Sequence, residues 1–319
     1  MTGFGSKTFT DPEDYRIRLA GAEVGFVVTG RPSFDTQLSW IELSCLRLLA
    51  IREKAPRVAF VSLPSALLTI SFSLACNDLL MWNGLGLHRA SLVLHAPGER
   101  FHQRATGAVR WGLITVSPHD LAHYSRVLLG ADRSQHAAGL LHPSARSAAE
   151  LRRLHAQAAH LAHTKPALLT RPEVARALEQ DLIHALVTAL GSAAPDRRSC
   201  LRSRRSAIMA RFEEALAAQN GAPSLPALCA AIGVPERTLR LHCAELLGCS
   251  PIEYARLRRL NRARSTLLRA DHRATSVAEV ARAHGFAEPG RFAVAYRALF
   301  GEAPLATLLR PPAVSAESA

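Results

Sequence analysis

The sequence lacks the short motifs that most often mark a catalytic or nucleotide-binding site. It contains no GxSxG, GxGxxG, HExxH or P-loop pattern, so no catalytic residue and no cofactor are predicted. Its six cysteines include no CxxC pair, which is typical of free thiols in a reducing compartment rather than of a disulfide framework. The N-terminal residues show no basic segment followed by an apolar core, so no secretory signal is expected.

Long apolar runs are scarce as well. The stretch Val58–Cys76 is the only uncharged run of membrane-spanning length, and Pro64 and four serines interrupt it. The alternation of polar and apolar residues over Thr69–Leu74 predicts a half-buried strand instead. We therefore expect no membrane-spanning segment and a cytoplasmic protein.

Positive charge is in excess and unevenly distributed. The formal net charge is +13, and residues 191–310 contain 19 Lys and Arg against 10 Asp and Glu, compared with 20 against 15 in residues 1–190. The denser positive charge of the C-terminal part favours a polyanionic partner such as nucleic acid. A high arginine content also arises from the base composition of a genome, so charge alone does not decide the question.

Apolar periodicity divides the chain into a β-rich part and a helical part. Between residues 15 and 116, short apolar or alternating runs are separated by turn residues, which is typical of a β-sandwich or small barrel. Residues 144–164 and 172–190 place apolar side chains on one helical stripe, which predicts two helices that cap the β module, form a dimer face, or both. Residues 191–207 contain five arginines and are predicted to be a solvated linker or a basic arm that touches phosphates.

A helix-turn-helix pattern occurs twice near the C-terminus, in Leu225–Pro251 and, about 52 residues later, in Val277–Pro304. Each copy has a capped short helix, a glycine at the turn, a second helix opened by proline, and a closing glycine. The residues are Ser224, Gly233, Pro235 and Gly248 in the first copy, and Ser276 with Glu279, Gly285, Pro289 and Gly301 in the second.

The two copies superpose with one residue added to the second turn, and the alignment predicts their cores. The aligned core positions are Leu228 with Val280, Val234 with Phe286, Leu239 with Phe292, Cys243 with Tyr296 and Leu247 with Phe300. Between the copies, Ser250 and Glu253 form a predicted capping box for a helix that runs to about Arg269 and spans about 28 Å. A rod of this length can hold two recognition helices in successive segments of the major groove, about 34 Å apart. Six arginines lie on this rod, and some can face phosphates: Arg256, Arg258, Arg259, Arg262, Arg264 and Arg269.

The repeated segment resembles the double helix-turn-helix domain of the AraC/XylS family of bacterial transcription regulators, over roughly residues 206–310. The second copy carries the more specific match, with Gly285-Phe286, Phe292, Tyr296, Phe300-Gly301 and Pro304 in the family's pattern. The resemblance implies a sequence-specific transcription regulator, an activator rather than a repressor. It also implies four partners: double-stranded promoter or operator DNA, RNA polymerase, a small-molecule effector and a second copy of the chain.

The expected fold class is α+β with several domains. The β-rich part resembles the cupin-like effector-binding domains of the same family and is assigned to residues 1–143. A helical dimerisation or cap region follows at 144–190, a basic linker at 191–206, and an all-α double helix-turn-helix domain at 207–312. The tryptophans Trp40, Trp82 and Trp111 are expected to pack in the β core rather than to line an effector pocket, and no effector-binding residue is predicted.

Base contacts are predicted from the outward faces of the two recognition helices. Arg237 and Arg240 are the best candidates for paired hydrogen bonds to guanine O6 and N7, with phosphate contact or plain solvation as the alternative. In the second helix, Ala293 and Val294 stand where family members often have polar residues, so we expect the first helix to discriminate bases and the second mainly to fix grip and register. The predicted DNA-binding residues are Arg237, Thr238, Arg240, Leu241, Pro289, Gly290, Arg291, Ala293, Val294 and Arg297.

Two other functions stay open. An effector-independent DNA-binding regulator would be favoured if the β domain were filled by its own side chains. A cupin-type enzyme fused to a DNA-binding domain would need two histidines one residue apart, a glutamate and a further histidine on one metal. No HxH pair occurs, and His88, His95 and His102 are spaced by seven with only Glu99 nearby, so no metal is predicted.

Overall fold

A computed structural model describes residues 3–10, 22–30, 35–75, 79–132, 138–196, 203–219 and 221–310. The described residues form two compact units. The first contains those up to residue 206 except 27–32 and 56–58, which group with residues from 207 onward in the second unit. Three of the arginines in the predicted basic linker, Arg197, Arg198 and Arg202, lie outside the described residues.

The strands form two antiparallel sheets, as the short alternating runs of the sequence predicted. They are β1 Phe4–Phe9, β2 Glu23–Val28, β3 Thr36–Glu42, β4 Leu46–Glu53, β5 Arg57–Ser62, β6 Leu68–Ser73, β7 Leu80–Trp82, β8 Leu85–Gly86, β9 Leu92–His95, β10 Arg100–Ala105, β11 Val109–Val116, β12 Gly139–His142 and β13 Ala194–Pro195. One sheet has eight strands in the order β1-β3-β4-β11-β6-β9-β12-β13, and the other has five in the order β2-β5-β10-β7-β8. Neither sheet closes into a barrel, so the β-rich part is an open sandwich.

The helices account for the rest of the regular structure. They are α1 Pro118–Leu129, α2 Ala145–Thr164, α3 Pro172–Gly191, α4 Ser203–Ala218, α5 Leu225–Ile232, α6 Glu236–Leu246, α7 Pro251–Arg269, α8 Val277–Ala283, α9 Pro289–Phe300 and α10 Pro304–Leu308, with a 3-10 helix at Pro166–Thr170. Within the described ranges, no helix combines the length and apolarity that a bilayer crossing requires. The predicted helices at 144–164 and 172–190 are confirmed as α2 and α3.

Successive apolar side chains of the central strands point to opposite faces of the eight-stranded sheet, so a hydrophobic core lies on each face. Ile51 and Trp111 pack with residues of the five-stranded sheet, among them Trp82, and so fill the space between the sheets. Leu48 and Ile114 point to the other face, where α1, α2 and α3 cover them. Trp82 and Trp111 are 4% and 5% exposed and Trp40 packs against the core cluster that contains them, which confirms the assignment of the tryptophans to the β core.

Two elements depart from the predicted pattern. Helix α1 lies within the segment expected to be β-rich; Ser117 caps it by accepting a hydrogen bond from the Asp120 N–H, and Gly130 ends it at a φ of +67°. Strand β13 lies within the segment expected to be a linker, where Leu141 of β12 pairs with Pro195. The sequence signal for a two-residue edge strand is too short to be recognised before its partner is known.

Two of the three histidines considered for a metal site, His95 and His102, are buried among aromatic rings. His95 is fully buried, stacks on Phe101 at 4.3 Å and has its Nε2 2.8 Å from the Ser71 hydroxyl. His102 is buried against the Phe60 ring. In the parts of the chain that the structure describes, no group of three or more His, Cys, Asp or Glu side chains is arranged to hold a metal ion.

The stability of the first unit should depend on pH through His155 of α2. Its ring is fully buried, 5.0 Å from the Phe72 ring, and a Cβ at Gly112 would lie 2.8 Å from its Cε1. Burial lowers the pKa of His155 from 6.5 to about 4. Between these values the unfolded chain binds the extra proton, so the free energy of unfolding should fall as pH drops from 6.5 to 4, by on the order of 3 kcal/mol, and be fully retained above pH 6.5.

Urea unfolding followed by tryptophan fluorescence measures this dependence, because all three tryptophans lie in the first unit. A His155→Leu variant should lose that part of the pH dependence. The control is His184→Leu, which changes an exposed histidine of α3 and should keep the wild-type slope. An unchanged slope in His155→Leu would exclude His155 as the titrating group.

Candidate nucleic-acid interface

The first helix-turn-helix is built by local capping at α5 and α6. The Ser224 hydroxyl accepts a hydrogen bond from the Ala227 N–H at 3.3 Å and starts α5. Gly233 ends the helix at a φ of +72°, and the N–H groups of Gly233 and Val234 both donate to the Cys229 carbonyl. These contacts confirm the predicted turn, which sets the angle at which α6 leaves α5.

The second helix-turn-helix repeats this build at α8 and α9. The Glu279 N–H donates to the Ser276 hydroxyl, and the Glu279 carboxylate accepts from the Ser276 N–H at 2.7 Å, so the predicted capping box is confirmed. The bond from the Ser276 backbone lowers the pKa of Glu279. Gly285 has a φ of +74°, and a Cβ there would lie 3.0 Å from the backbone of Gly221 and Ala222, so both conformation and space require glycine.

The predicted cores of the two copies are also confirmed. In the first copy, Leu239, Cys243 and Leu247 of the recognition segment are buried with Leu228. In the second, Phe292 and Tyr296 are fully buried in a run of aromatic rings whose neighbouring centroids are 4.6 to 5.5 Å apart. These cores fix the inward faces of α6 and α9 and therefore determine which side chains face outward.

The arginines of α7 divide into two groups that sequence reasoning did not separate. Arg258 pairs with Glu213 of α4. Arg259 donates to the Gly285 carbonyl at 2.8 Å and lies over the Phe286 ring. Arg264 is buried, pairs with Glu302 at 3.5 Å and lies over the Phe300 ring. The other three, Arg256, Arg262 and Arg269, are exposed.

The structure thus separates the exposed arginines of this helix, which can face phosphates, from those that make contacts inside the domain. Arg258, Arg259 and Arg264 hold the helices of the domain together. The partners of Arg258 and Arg264 lie 45 and 38 residues away in sequence, so no local pattern could have assigned them.

The outward face of α6 presents most of the residues predicted for base contact. Arg237, Arg240 and Leu241 are exposed, Leu241 to 51%, whereas Thr238 is half-buried. Arg240 forms an exposed ion pair with Glu236 at 2.5 Å, but within the described residues no acidic side chain pairs with Arg237. An exposed i,i+4 pair is worth only about 0.3–0.5 kcal/mol, so it does not fix Arg240 in place.

The outward face of α9 is less polar. Gly290, Arg291, Val294 and Arg297 are exposed, Val294 to 72%, while Pro289 and Ala293 are half-buried. The Arg291 side chain pairs with Glu288 at 2.9 Å. Arg256 of α7, which the sequence placed only among the arginines of the rod, lines a cleft of about 320 Å³ together with Arg291. Its charge was visible in the sequence, but its position beside α9 depends on tertiary packing.

Comparison with known proteins identifies the family. Residues 228–310 match the family model described as a helix-turn-helix domain. A solved structure named as a "probable AraC family transcriptional regulator" from Rhodopseudomonas palustris is 32% identical to this chain, covers 33% of it and is itself covered to 98%, with a TM-score of 0.30. The chain belongs to the AraC family.

Two further relatives show how far the similarity extends. The "Probable thc operon regulatory protein" of Rhodococcus erythropolis is 37% identical over 81 residues, which are 25% of this chain and 24% of that protein. The match therefore spans about a quarter of the length of that curated relative. The solved structure of the AraC-like transcriptional activator CuxR is 13% identical, with 82% of this chain and 96% of that chain covered and a TM-score of 0.42.

Proposed function

We propose that this AraC-family protein is a transcription regulator that binds double-stranded DNA sequence-specifically through α6 and α9. The observation that carries the proposal is the presence of two helix-turn-helix units of the same build, each with a recognition helix whose inner face is locked by a core and whose outer face is exposed. Arginines on both outer faces supply the donors that phosphates and guanine edges accept. The proposed DNA-binding residues are the ten residues predicted from the sequence.

The two helices contribute differently in this proposal. Arg237 and Arg240 of α6 present guanidinium groups that can make paired hydrogen bonds to guanine. The exposed Val294 of α9 offers only apolar contact, for instance to a thymine methyl group. We therefore assign most of the base discrimination to α6, and grip and register mainly to α9.

Replacing Arg237 with alanine tests the assignment of base contact. The Arg237→Ala variant should bind its specific site about 5- to 150-fold more weakly, corresponding to 1–3 kcal/mol, with a smaller loss on random DNA. The measurement is fluorescence anisotropy with labelled duplexes of both kinds, at one salt concentration. The control is Arg211→Ala on α4, which removes an exposed arginine that belongs to neither recognition helix and should leave both affinities nearly unchanged. An equal loss on the two duplexes would make Arg237 a phosphate contact.

The regulatory part of the proposal concerns activation, RNA polymerase, an effector and dimerisation. Activation, contact with RNA polymerase and a small-molecule effector are proposed from the family resemblance. We also propose dimerisation through residues 144–190. Helix α3 restricts the surface available for it, because Leu182, Leu186 and Leu190 are buried in the core of their own unit. Its C-terminal half is therefore less available to a second copy than its exposed N-terminal half.

The packing between the two sheets bears on the effector-independent alternative. Trp82, Trp111 and Phe101 occupy that interior, which favours an effector site elsewhere in the first unit. A cleft that could hold a small molecule lies on the helix-facing side of the eight-stranded sheet. The alternative of a fused enzyme has no comparable observation in its favour.

A further inference from the structure

A row of polar side chains crosses three strands on the helix-facing side of the eight-stranded sheet. In the register of β3 and β4, Gln37 lies opposite Arg52, and in the register of β4 and β11, Arg52 lies opposite Arg110. Both arginines are exposed. The sheet therefore places two guanidinium groups side by side on neighbouring strands.

This arrangement is unfavourable for the unliganded sheet. Like charges directly opposite one another on antiparallel strands are destabilising. Across the described part of the chain, no carboxylate forms an ion pair with Arg52 or Arg110, although the neighbouring Arg47 on β4 pairs with Glu42. An anion bound between the two guanidinium groups would relieve the repulsion and supply the missing acceptors.

Helix α2 provides the opposite wall of a cleft above this row. Ala156 and Ala159 leave space between the helix and the sheet, and the cleft has a volume of about 420 Å³, within the usual range for small-molecule sites of about 300–1,000 Å³. His160 and His163 line the same wall. Ala50, on the same face of β4 as Arg52, and Leu74 supply an apolar portion that can contact a carbon skeleton.

His163 is positioned to donate a hydrogen bond into the cleft. Its Nδ1 lies 3.4 Å from the Gln37 amide nitrogen, which can only donate. With Nδ1 as the acceptor, the neutral ring carries its proton on Nε2 and presents a donor. The polar lining is thus rich in N–H groups, as an oxyanion requires.

We propose that this cleft is a binding site for a small organic anion, whose charged oxygens lie between Arg52 and Arg110 and whose carbon skeleton packs against Ala50, Leu74 and the alanines of α2. A carboxylate and a phosphoryl group share this chemistry. The site does not depend on DNA binding; only its identification as the effector site rests on the proposed function.

Ligand protection of the full-length protein tests the site. Tryptophan fluorescence during heating reports the unfolding midpoint of the first unit. The midpoint is measured at constant ionic strength with one of four additives: hexanoate, hexyl phosphate, inorganic phosphate or the neutral hexanamide. At least one of the organic anions should raise the midpoint, and hexanamide should not. In Arg52→Gln and Arg110→Gln, the dissociation constant of the protecting anion should rise about tenfold or more, because each variant removes a charged hydrogen bond.

Matched variants separate this site from general salt effects. Arg47→Gln removes an exposed arginine of the same strand and should leave protection unchanged. Without anion, Arg52→Gln should unfold at the same or a higher temperature than wild type, because the repulsion is relieved. Protection by hexyl phosphate but not by hexanoate would assign a phosphoryl ligand to the site.

Three results would overturn the proposal: no protection by any of the anions, equal protection of wild type and both Gln variants, or equal protection by hexanamide. Measuring DNA affinity with and without the protecting anion then tests its role as an effector. Anion binding without an effect on DNA would leave the site standing and remove that role, while loss of DNA binding in every condition would contradict only the proposed function.

Discussion

DNA affinity should fall by about 500-fold when the salt concentration is raised from about 50 mM to about 200 mM, because bound phosphates release counterions and about five contacts give a loss of this size. Five exposed arginines of α7 and α9 set this estimate: Arg256, Arg262, Arg269, Arg291 and Arg297. Arg237 and Arg240 are left out of the estimate because they are assigned to bases. The buried or internally paired Arg258, Arg259 and Arg264 are left out of it. Fluorescence anisotropy of a labelled duplex over a salt series measures the slope.

Single charge removals make this prediction specific to the proposed interface. Arg297→Gln should reduce the steepness of the slope of log affinity against log salt by about one, which is the contribution of one phosphate contact. Arg153→Gln, in the exposed pair with Glu150 on α2, should leave the slope unchanged. A flat salt response of the wild-type protein would remove the electrostatic part of the account.

Replacing Glu213 with alanine should destabilise the second unit by about 3 kcal/mol, near the lower end of the cost of breaking a buried ion pair because Arg258 is partly exposed. Glu213 is 4% exposed, accepts a hydrogen bond from the Tyr254 hydroxyl at 2.7 Å and pairs with Arg258. Burial and the neighbouring Glu213 raise the pKa of Tyr254, so its hydroxyl stays a neutral donor. The substitution removes the acceptor of the Tyr254 hydroxyl and the carboxylate partner of Arg258 where α4 meets α7, and leaves Arg258 its bond to the backbone carbonyl of residue 213.

Urea unfolding followed in parallel by circular dichroism and tryptophan fluorescence isolates this effect. The helical signal includes the second unit, whereas the tryptophans report only the first. Glu213→Ala should therefore shift the circular dichroism transition and leave the fluorescence transition in place. Glu214→Ala, an exposed neighbour on the same helix, should cost less than about 0.5 kcal/mol. Equal effects of the two variants would mean that the Glu213 contacts contribute nothing to stability.

The C-terminal helices could be predicted closely because their signals are local. Ser224, Gly233, Ser276 and Gly285 cap or end helices through bonds to residues at most five positions away. The strands of the sandwich were recognisable as a class, but their order depends on pairings between distant segments. Strand β13 was missed for this reason, whereas the local signals of helix α1, Ser117 at its start and Gly130 at its end, were present in the sequence and were overlooked.

The candidate sites also combine features that local sequence determines with features that depend on contacts between distant segments. Exposure of Arg237 followed from the helical period once the inward positions were known. The internal roles of Arg258, Arg259 and Arg264 did not, since their partners lie on other helices. The juxtaposition of Arg52 and Arg110 required the strand register, which a one-residue slip would abolish.

Selection of binding sites from a pool of random duplex DNA by the full-length protein tests the central claim most directly. The account predicts an enriched sequence with two conserved blocks whose centres lie about 10 base pairs apart, one for each recognition helix. The block that Arg237→Ala relaxes should carry more sequence information than the other. Recovery of sequences with no shared block, at a salt concentration where binding is measurable, would contradict it.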